Sequence, residues 1–492
     1  MDHYMPQIFW HDRKALLSVD IQQNPDSKKY KIVTSSVQKE IRIWSFEFEE
    51  NLTMPVAPLS VTFLANLENH STAINQVKFG PIRDVPLLAS GDCQGRITIW
   101  QLKSDSPPPP PSDELPPNKE NWTRTKHLNH DNDVNSLCWS PCGDMLASVS
   151  NDDCLCVHNV MTGRRLFTLR NFRHFPNGVS WDPQGKYLVT MSADRKMDLF
   201  DAVKGTKLRA FGVAELPEVI VCPAGGEKML EKKLYKLFHD DQLYSFQRGV
   251  AFSPNGDFIA APCAHLELGS YDLYGTYIFR REDLGKDAPS AFYPSPKPTF
   301  LVKFSPVVMK LRKGTRNFLG YPYRIQWAAF TKDSVNIYDS QHEHPIGVID
   351  NIHYNSLTDA TWSADGRVLV VSSLEGYCSF IKFKQGVWGE EFDREHMKCP
   401  ASPGLIEEKK RKKKEKAVPA TPTEADQQKS PLHEKQSTPV AAAVTKTPVS
   451  LKKFFQVEKG SSTTNTTKTE NSDASPITAR PKKRIQIVTL GD

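Results

Sequence analysis

Three stretches of this chain share one pattern: VNSLCWSPCGDMLASVSNDDCLCVHN (Val134–Asn159), GVSWDPQGKYLVTMSADRKMDLFD (Gly178–Asp201) and DATWSADGRVLVVSSLEGYCSFIKF (Asp359–Phe383). Each opens with a short alternating strand ending in Trp. A Ser-Pro-Cys-Gly, Asp-Pro-Gln-Gly or Ser-Ala-Asp-Gly turn follows, then a run of apolar and small residues, a second tight turn and a third strand. Pro supplies a fixed φ in such turns and Gly a positive one. The runs Tyr187–Met191 and Val368–Val371 are apolar on both faces, as a strand sandwiched between neighbouring sheets must be. A repeat of this length constrains the fold more than any single motif, because a unit of this size buries its apolar faces only by stacking on copies of itself.

The same unit, worn, recurs at Lys31–Trp44, Ile74–Trp100, Val250–Phe279 and Phe300–Tyr338, which makes seven. This resembles the WD-repeat family and implies an all-β, seven-bladed WD40-type β-propeller over residues 1–385, followed by a disordered basic tail. Trp44 and Trp100 end the third strand of their units, His70, His130 and His174 stand before a first strand, and Asp152 and Asp194 occupy the turn before a third. In the family such a His, a Ser or Thr, the turn Asp and the Trp hydrogen-bond inside one blade. Blade three offers His130, Ser148 and Asp152 with His158 in place of Trp. Blade four offers His174, Thr190 and Asp194 with Phe200 there. Gln38 and Gln94 stand where Asp is expected in blades one and two, so several networks are expected to be incomplete. The segment Gln7–Trp10 is expected to supply the outer strand of the last blade and so remove a bare edge.

Charge separates the body from the tail. Eighteen of the 63 Lys and Arg, and ten of the 57 Asp and Glu, fall from Ala401 onward, a net of +8 that leaves the remainder at −2. A near-neutral body is not a general phosphate-binding surface. Nine cysteines without a CxxC argue against a zinc ribbon or a thioredoxin motif, and for reduced thiols used as small core residues. MDHYMPQIFW is too polar and too short for a secretory signal, and no apolar run reaches membrane-span length. No GxSxG, HExxH, Walker-type loop or dinucleotide fingerprint occurs in the context its chemistry needs, so no catalytic, cofactor or metal site, and no small-molecule substrate, is expected. His342-x-His344 is read as a solvated turn rather than a metal pair. The Pro-rich loop 103–120, with Pro107–Pro111, is read as a stiff inter-blade connection rather than an SH3 ligand.

Four stretches are more specific than a generic repeat: NKENW (Asn118–Trp122), FHDD (Phe238–Asp241) with SFQRGVAFSPNG (Ser245–Gly256), YPYRIQWAAFTKDSVNIYD (Tyr321–Asp339), and NIHYNSLTDATWSADG with EGYCSFIKF within Asn351–Phe383. Together they resemble the middle-sized WD-repeat subunits of chromatin assembly factor one, from about Gln7 to Phe383. The resemblance implies a nuclear, non-enzymatic scaffold in a histone chaperone that deposits histones three and four on newly replicated DNA. It implies as partners a large acidic subunit, a second histone-binding WD subunit, the anti-silencing-function histone chaperone and, indirectly, the histones. Two alternatives are a substrate adaptor of a ubiquitin ligase and the WD protein of replication-independent histone deposition.

Residues 386–480 read as a low-complexity tail. Its block 407–416 contains Lys409, Lys410, Arg411, Lys412, Lys413 and Lys414, a nuclear-import signal in a chromatin context. Thr421, Ser430, Thr438, Thr447 and Ser475 each precede Pro and suit proline-directed kinases. PVSLKKFF resembles the peptide that binds the replication sliding clamp through Leu451, Phe454 and Phe455, without its usual Gln; an incidental apolar patch is the other reading. Residues 481–492, PKKRIQIVTLGD, alternate like a strand that has no sheet of its own, a candidate to add to another protein's edge. The family resemblance assigns Lys483, Arg484, Ile485 and Leu490 to docking on the anti-silencing chaperone, with Lys483 where Arg is more usual.

Overall fold

The computed structural model describes residues 1–24, 29–48, 59–104, 115–170, 172–217, 232–268, 271–384, 386–393 and 486–489. Seven antiparallel sheets follow one another along the chain, each joining neighbouring strands by short turns, as a propeller requires. Blade one comprises Leu16–Ile21, Tyr30–Ser36, Glu40–Phe48 and Leu59–Glu68; blade two Ile74–Phe79, Leu87–Asp92, Arg96–Leu102 and Trp122–Asn129. Blade three comprises Val134–Trp139, Met145–Ser150, Cys154–Asn159 and Arg165–Leu169; blade four Pro176–Trp181, Tyr187–Ser192, Lys196–Asp201 and Thr206–Phe211. A hairpin of Val213–Pro217 and Lys232–Lys236 precedes blade five, which comprises Ala251–Phe252, Phe258–Glu267, Asp272–Arg280 and Ala291–Ser295. Blade six comprises Leu301–Met309, Arg324–Phe330, Val335–Asp339 and Gly347–Asp350; blade seven Leu357–Trp362, Val368–Ser373 and Cys378–Lys382. All seven sequence units become blades.

The recurring turns explain the repeat. Gly143, Gly185, Gly256 and Gly366 all lie at positive φ, between 64° and 80°. Each donates its N–H to the carbonyl three residues back, on Ser140, Asp182, Ser253 or Ser363, at 2.8–2.9 Å. The side chain of that first residue then accepts an N–H from the start of the next strand: Met145 to Ser140, Phe258 to Ser253 and Val368 to Ser363, at 3.0, 3.1 and 2.9 Å. One polar residue and one Gly thus satisfy the backbone of a whole corner. Near the axis, where inner strands converge, a Cβ on Gly178 would stand 1.9 Å from the Arg248 carbonyl oxygen. The second strands Tyr187–Ser192 and Val368–Ser373 are buried at every position, as their two-faced apolar character predicts.

The ring closes with a chain-terminal strand, but not with the predicted one. Asp2–Tyr4 pairs antiparallel with Cys378–Lys382, completing blade seven. Gln7–Trp10 forms no strand. Pro6 removes a ladder donor beyond Tyr4, and Trp10 turns fully inward, 5.1 Å edge-on from Trp44 and 6.0 Å from Phe380. It packs where blades one and seven meet.

Candidate docking surfaces

Of the three histidines singled out by the repeat, His70 and His130 are structural and His174 is not. In blade two His70 Nδ1 lies 2.7 Å from Asp92 Oδ2 and Nε2 2.7 Å from Ser90 Oγ, which also accepts Trp100 Nε1–H at 2.9 Å. The network is complete, contrary to the reading of Gln94 as a missing Asp. Asp92, two residues earlier, supplies the carboxylate and caps the turn by accepting the N–H groups of Gln94 and Arg96. In blade one Thr34 Oγ1 accepts Trp44 Nε1–H at 3.1 Å and meets His11 Nε2 at 3.1 Å; His11 escaped the sequence reading because it lies next to the strand-like Gln7–Trp10.

In blade three His130 bridges Asp152 at 2.9 Å and Ser148 at 2.8 Å. Burial disfavours the charged ring, but the Asp152 hydrogen bond, then the Cys156 sulfur and the Asp152 charge, overcome this and lift His130 to about 9, while Asp152 is held at about 2. His158 stands apart from that network. Its Nε2 accepts Arg165 Nε–H at 3.2 Å, and burial, then Arg165, lower it to about 4. In blade seven His353 Nδ1 meets Glu375 at 2.6 Å. Blade four breaks the series: His174 is exposed and Thr190 Oγ1 is buried without a hydrogen-bond partner. The Asp182 carboxylate instead holds Arg281 of blade five through two bonds of 2.9 and 2.7 Å, both side chains buried.

The more specific stretches secure loops. Asn118 Oδ1 accepts the Asn66 N–H, Trp122 Nε1–H donates to Glu120, and Glu120 receives Lys31 Nζ at 2.6 Å, tying the end of the proline-rich loop to blade one. Arg248 donates to the carbonyls of His239 and Asp240 in the FHDD turn. Tyr323 OH donates to Asp257 at 2.6 Å, and Arg324 pairs with Asp339 at 3.2 Å in full burial. His342 Nδ1 lies 2.8 Å from Asp339, so its ring belongs to this turn. Among the described residues no three metal-ligating side chains come together. No disulfide joins the seven described cysteines, five of which are buried.

The sequence reading missed a charge cluster at the axis. Asp359 of blade seven receives Ser18 Oγ–H at 2.7 Å, Lys78 Nζ at 3.2 Å and Lys303 Nζ at 3.1 Å, while Lys78 also approaches Asp20 at 3.6 Å. Burial opposes ionisation of Asp359, but the two lysines hold it at about 2. Lys78 is likewise pushed above its ordinary value by Asp359 and Asp20 despite its burial. Four inner strands are joined through one carboxylate. The signal was available: the residue before the last of each inner strand reads Asp20, Lys78, Cys138, Ser180, Ala251 and Thr361, with Lys303 at the same point in blade six.

One outer edge differs from the rest. Gly347–Asp350, the last strand of blade six, pairs inward with Val335–Asp339 and outward with Gln486–Thr489 of the C-terminal segment, which becomes a fifth strand. The register is antiparallel, Asp350 opposite Gln486 and Gly347 opposite Thr489. The expectation of a strand with no sheet of its own is therefore corrected: one edge of its backbone pairs with the chain's own propeller. Beside the Gly347 end lies a cleft of about 650 Å³ lined by apolar Phe318 and Ile346, by basic Arg312, Lys313 and Arg316, and by Glu343, which pairs with Arg316 at 3.5 Å. Lys483, Arg484, Ile485 and Leu490 lie outside the described residues, as do Lys409–Lys414, Leu451, Phe454, Phe455, Thr421, Ser430, Thr438, Thr447 and Ser475.

The sequence pattern of the CAF1B/HIR1 beta-propeller domain matches residues 1–387. The chain is 34% identical over 468 residues to a Gallus gallus protein named as the B subunit of chromatin assembly factor 1, covering 91% of this chain and 79% of that one. A protein of the same name from Saccharomyces cerevisiae is 29% identical, covering 76% of this chain and 84% of its own length. Protein HIR1 of Aspergillus oryzae is 28% identical over 77% of this chain but only 35% of its own. The matched residues span all seven blades, and the chain belongs to the CAF1B/HIR1 β-propeller family.

Proposed function

We propose that this chain is a non-enzymatic scaffold in a nuclear chromatin assembly complex, one that delivers histones three and four to newly replicated DNA. The observation that carries the reading is the family match across the whole propeller, with relatives named for chromatin assembly factor 1 covered over most of their length. The propeller provides a rigid ring on which a large acidic subunit docks, alongside a second, histone-binding WD subunit; contact with the histones is indirect. Residues 481–492 engage the anti-silencing-function chaperone by strand addition, with Ile485 and Leu490 as anchors and Lys483 and Arg484 speeding encounter with an acidic surface. The pairing of residues 486–489 with an edge strand supports this, since it is the backbone mode the docking requires. Lys409–Lys414 serve nuclear import, the Ser/Thr-Pro sites carry cell-cycle phosphates, and Leu451, Phe454 and Phe455 contact the sliding clamp.

Affinity capture of the full chain from nuclei tests the assignment. The large acidic subunit and histones are expected; recovery of a ubiquitin-ligase core in their place would overturn it. For the docking segment, burial of two aliphatic anchors is worth roughly 3–6 kcal/mol. Ile485→Ala with Leu490→Ala in the full chain is therefore expected to weaken chaperone binding at least about a hundredfold, while capture of the large acidic subunit is unchanged.

A further inference from the structure

We propose that the rim of blades two and three, with the cleft between them, is the surface on which an acidic segment of the large subunit docks; this rests on the scaffold reading for the partner's identity alone. The physical basis is a segregation of charge. The outer strands Trp122–Asn129, Arg165–Leu169 and Thr206–Phe211 of blades two to four carry Arg124, Lys126, Arg165, Lys207 and Arg209 and no carboxylate. The outer strands of the other blades, Leu59–Glu68, Ala291–Ser295, Gly347–Asp350 and Asp2–Tyr4, carry no Lys or Arg, and their charged residues are Glu68, Asp350 and Asp2. A body that is near neutral as a whole thus turns one basic side outward. Blade four answers its own charge: Lys207 meets Asp198 at 2.8 Å, and Arg209 pairs with Asp287 of blade five. Blades two and three do not. Arg124 donates to Asn69, and Arg165 to His158 and the Asn129 carbonyl. Neither of these, nor Lys126, nor Arg164 in the turn before Arg165, makes an ion pair among the described residues, while Asp131 lies 3.9 Å from Arg170 at the far end of the strand.

The same side offers apolar anchorage. A cleft of about 550 Å³ opens between blades two and three, walled by Val85, Leu87, Ile99, Val160 and Met161. Its basic residues are Arg83 and Lys126 and its acidic one is Asp84. The Lys126 stem lies against the blade-three turn, since a Cβ on Gly163 would stand 3.4 Å from its Cδ. Arg83 bridges the two blades: it donates to the Cys142 carbonyl and the Asp144 carboxylate and lies 4.0 Å from Met161 Sδ. In the turns that frame the cleft Ile82 is 65% exposed, Met161 60% and Val85 40%. Large apolar side chains exposed together in adjoining turns mark a contact surface. A nucleic-acid backbone would use the cationic groups but gain nothing from the cleft. An acidic polypeptide carrying an aliphatic side chain uses both, because guanidinium forks pair with carboxylates and the aliphatic group fills the cleft.

The experiment co-expresses the full chain with the large acidic subunit and measures capture at physiological salt. In parallel, fluorescence anisotropy follows two labelled probes, a short glutamate–leucine peptide and a short DNA duplex. Lys126→Glu with Arg164→Glu reverses the rim charge, and Met161→Asp spoils the anchor. None of the three side chains is buried, and thermal denaturation verifies that the fold survives. Each variant is expected to weaken binding of both the subunit and the peptide at least about tenfold. Lys313→Glu with Arg316→Glu, the same charge change on blade six, is expected to leave both unchanged. Equal weakening by this last variant overturns the site in favour of bulk charge. Undiminished binding in Lys126→Glu with Arg164→Glu, or in Met161→Asp, overturns it outright. Duplex bound more tightly than peptide, and lost in the same variants, overturns the acidic partner in favour of DNA. An unaltered chain that captures no large subunit overturns the scaffold reading instead, and the peptide alone then decides the surface.

Discussion

Blades two and four each offer a histidine, a hydroxyl side chain and a turn aspartate in that order, and use them oppositely. In blade two His70, Asp92, Ser90 and Trp100 form a buried chain of hydrogen bonds. In blade four His174 faces solvent and Thr190 Oγ1 has no partner. The difference lies in spacing. His70, His130 and His353 each stand nine residues before the aromatic that ends the inner strand: Phe79, Trp139 and Trp362. His174 stands only seven before Trp181, and the residue at the ninth place is Phe172. Phe172 contacts Phe200 at 5.9 Å, and Phe200 occupies the place of the Trp. An aromatic pair thus replaces a polar relay at the same two positions, and the buried Asp182–Arg281 bridge fastens the blade to its neighbour. A hydrogen-bond network needs every member; an apolar contact needs only volume.

The comparison is most exposed to attack at Phe200. Phe200→Ala should cost about 3–5 kcal/mol, because a fully buried ring leaves a cavity. Chemical denaturation measures it, and a loss under about 1 kcal/mol would remove the apolar account of blade four. Next comes the pair His70→Ala and His174→Ala. The first strands the buried Asp92 and Ser90 and should cost roughly 1–3 kcal/mol; the second should stay within about 0.5 kcal/mol. Equal losses would mean that the spacing rule is wrong.

A pH-dependent effect, changing by at most about 1.4 kcal/mol per pH unit for one proton, sharpens the picture inside blade three. His130, raised to about 9, contributes stability that is fully present below its unfolded value of 6.5 and is lost as pH rises through 9. His158, lowered to about 4, acts in reverse: the unfolded chain takes up its proton first, so stability falls as pH drops from 6.5 through 4. Denaturation across pH should show His130→Gln flattening the alkaline limb and His158→Gln the acid limb, with no crossover between them.

Much of this was legible beforehand because it is local. The turn Gly at positive φ, the two-faced apolar second strands and the terminal Trp or Phe of five inner strands are set by neighbours in sequence. What escaped was set by neighbours in space. Asp92 does the work expected of position 94 because either place in the turn brings a carboxylate to the histidine. Trp10 reads as strand but is claimed by the junction of two blades. The axial cluster around Asp359 joins residues from four repeats, and the partner of Gln486–Thr489 lies more than a hundred positions earlier in the chain. Alternation announced a strand there without naming its sheet.

The ring has one seam, and its latch, Asp2–Tyr4, is only three residues long. Tension applied at the first residue would peel that latch before any longer strand yields. Yet the rivet at Asp359 lies on the far, axial side of the same blade and is stitched to blades one, two and six. A pull that strips the rim therefore leaves the hub fastened, and the wheel keeps its shape while its outermost hem comes undone.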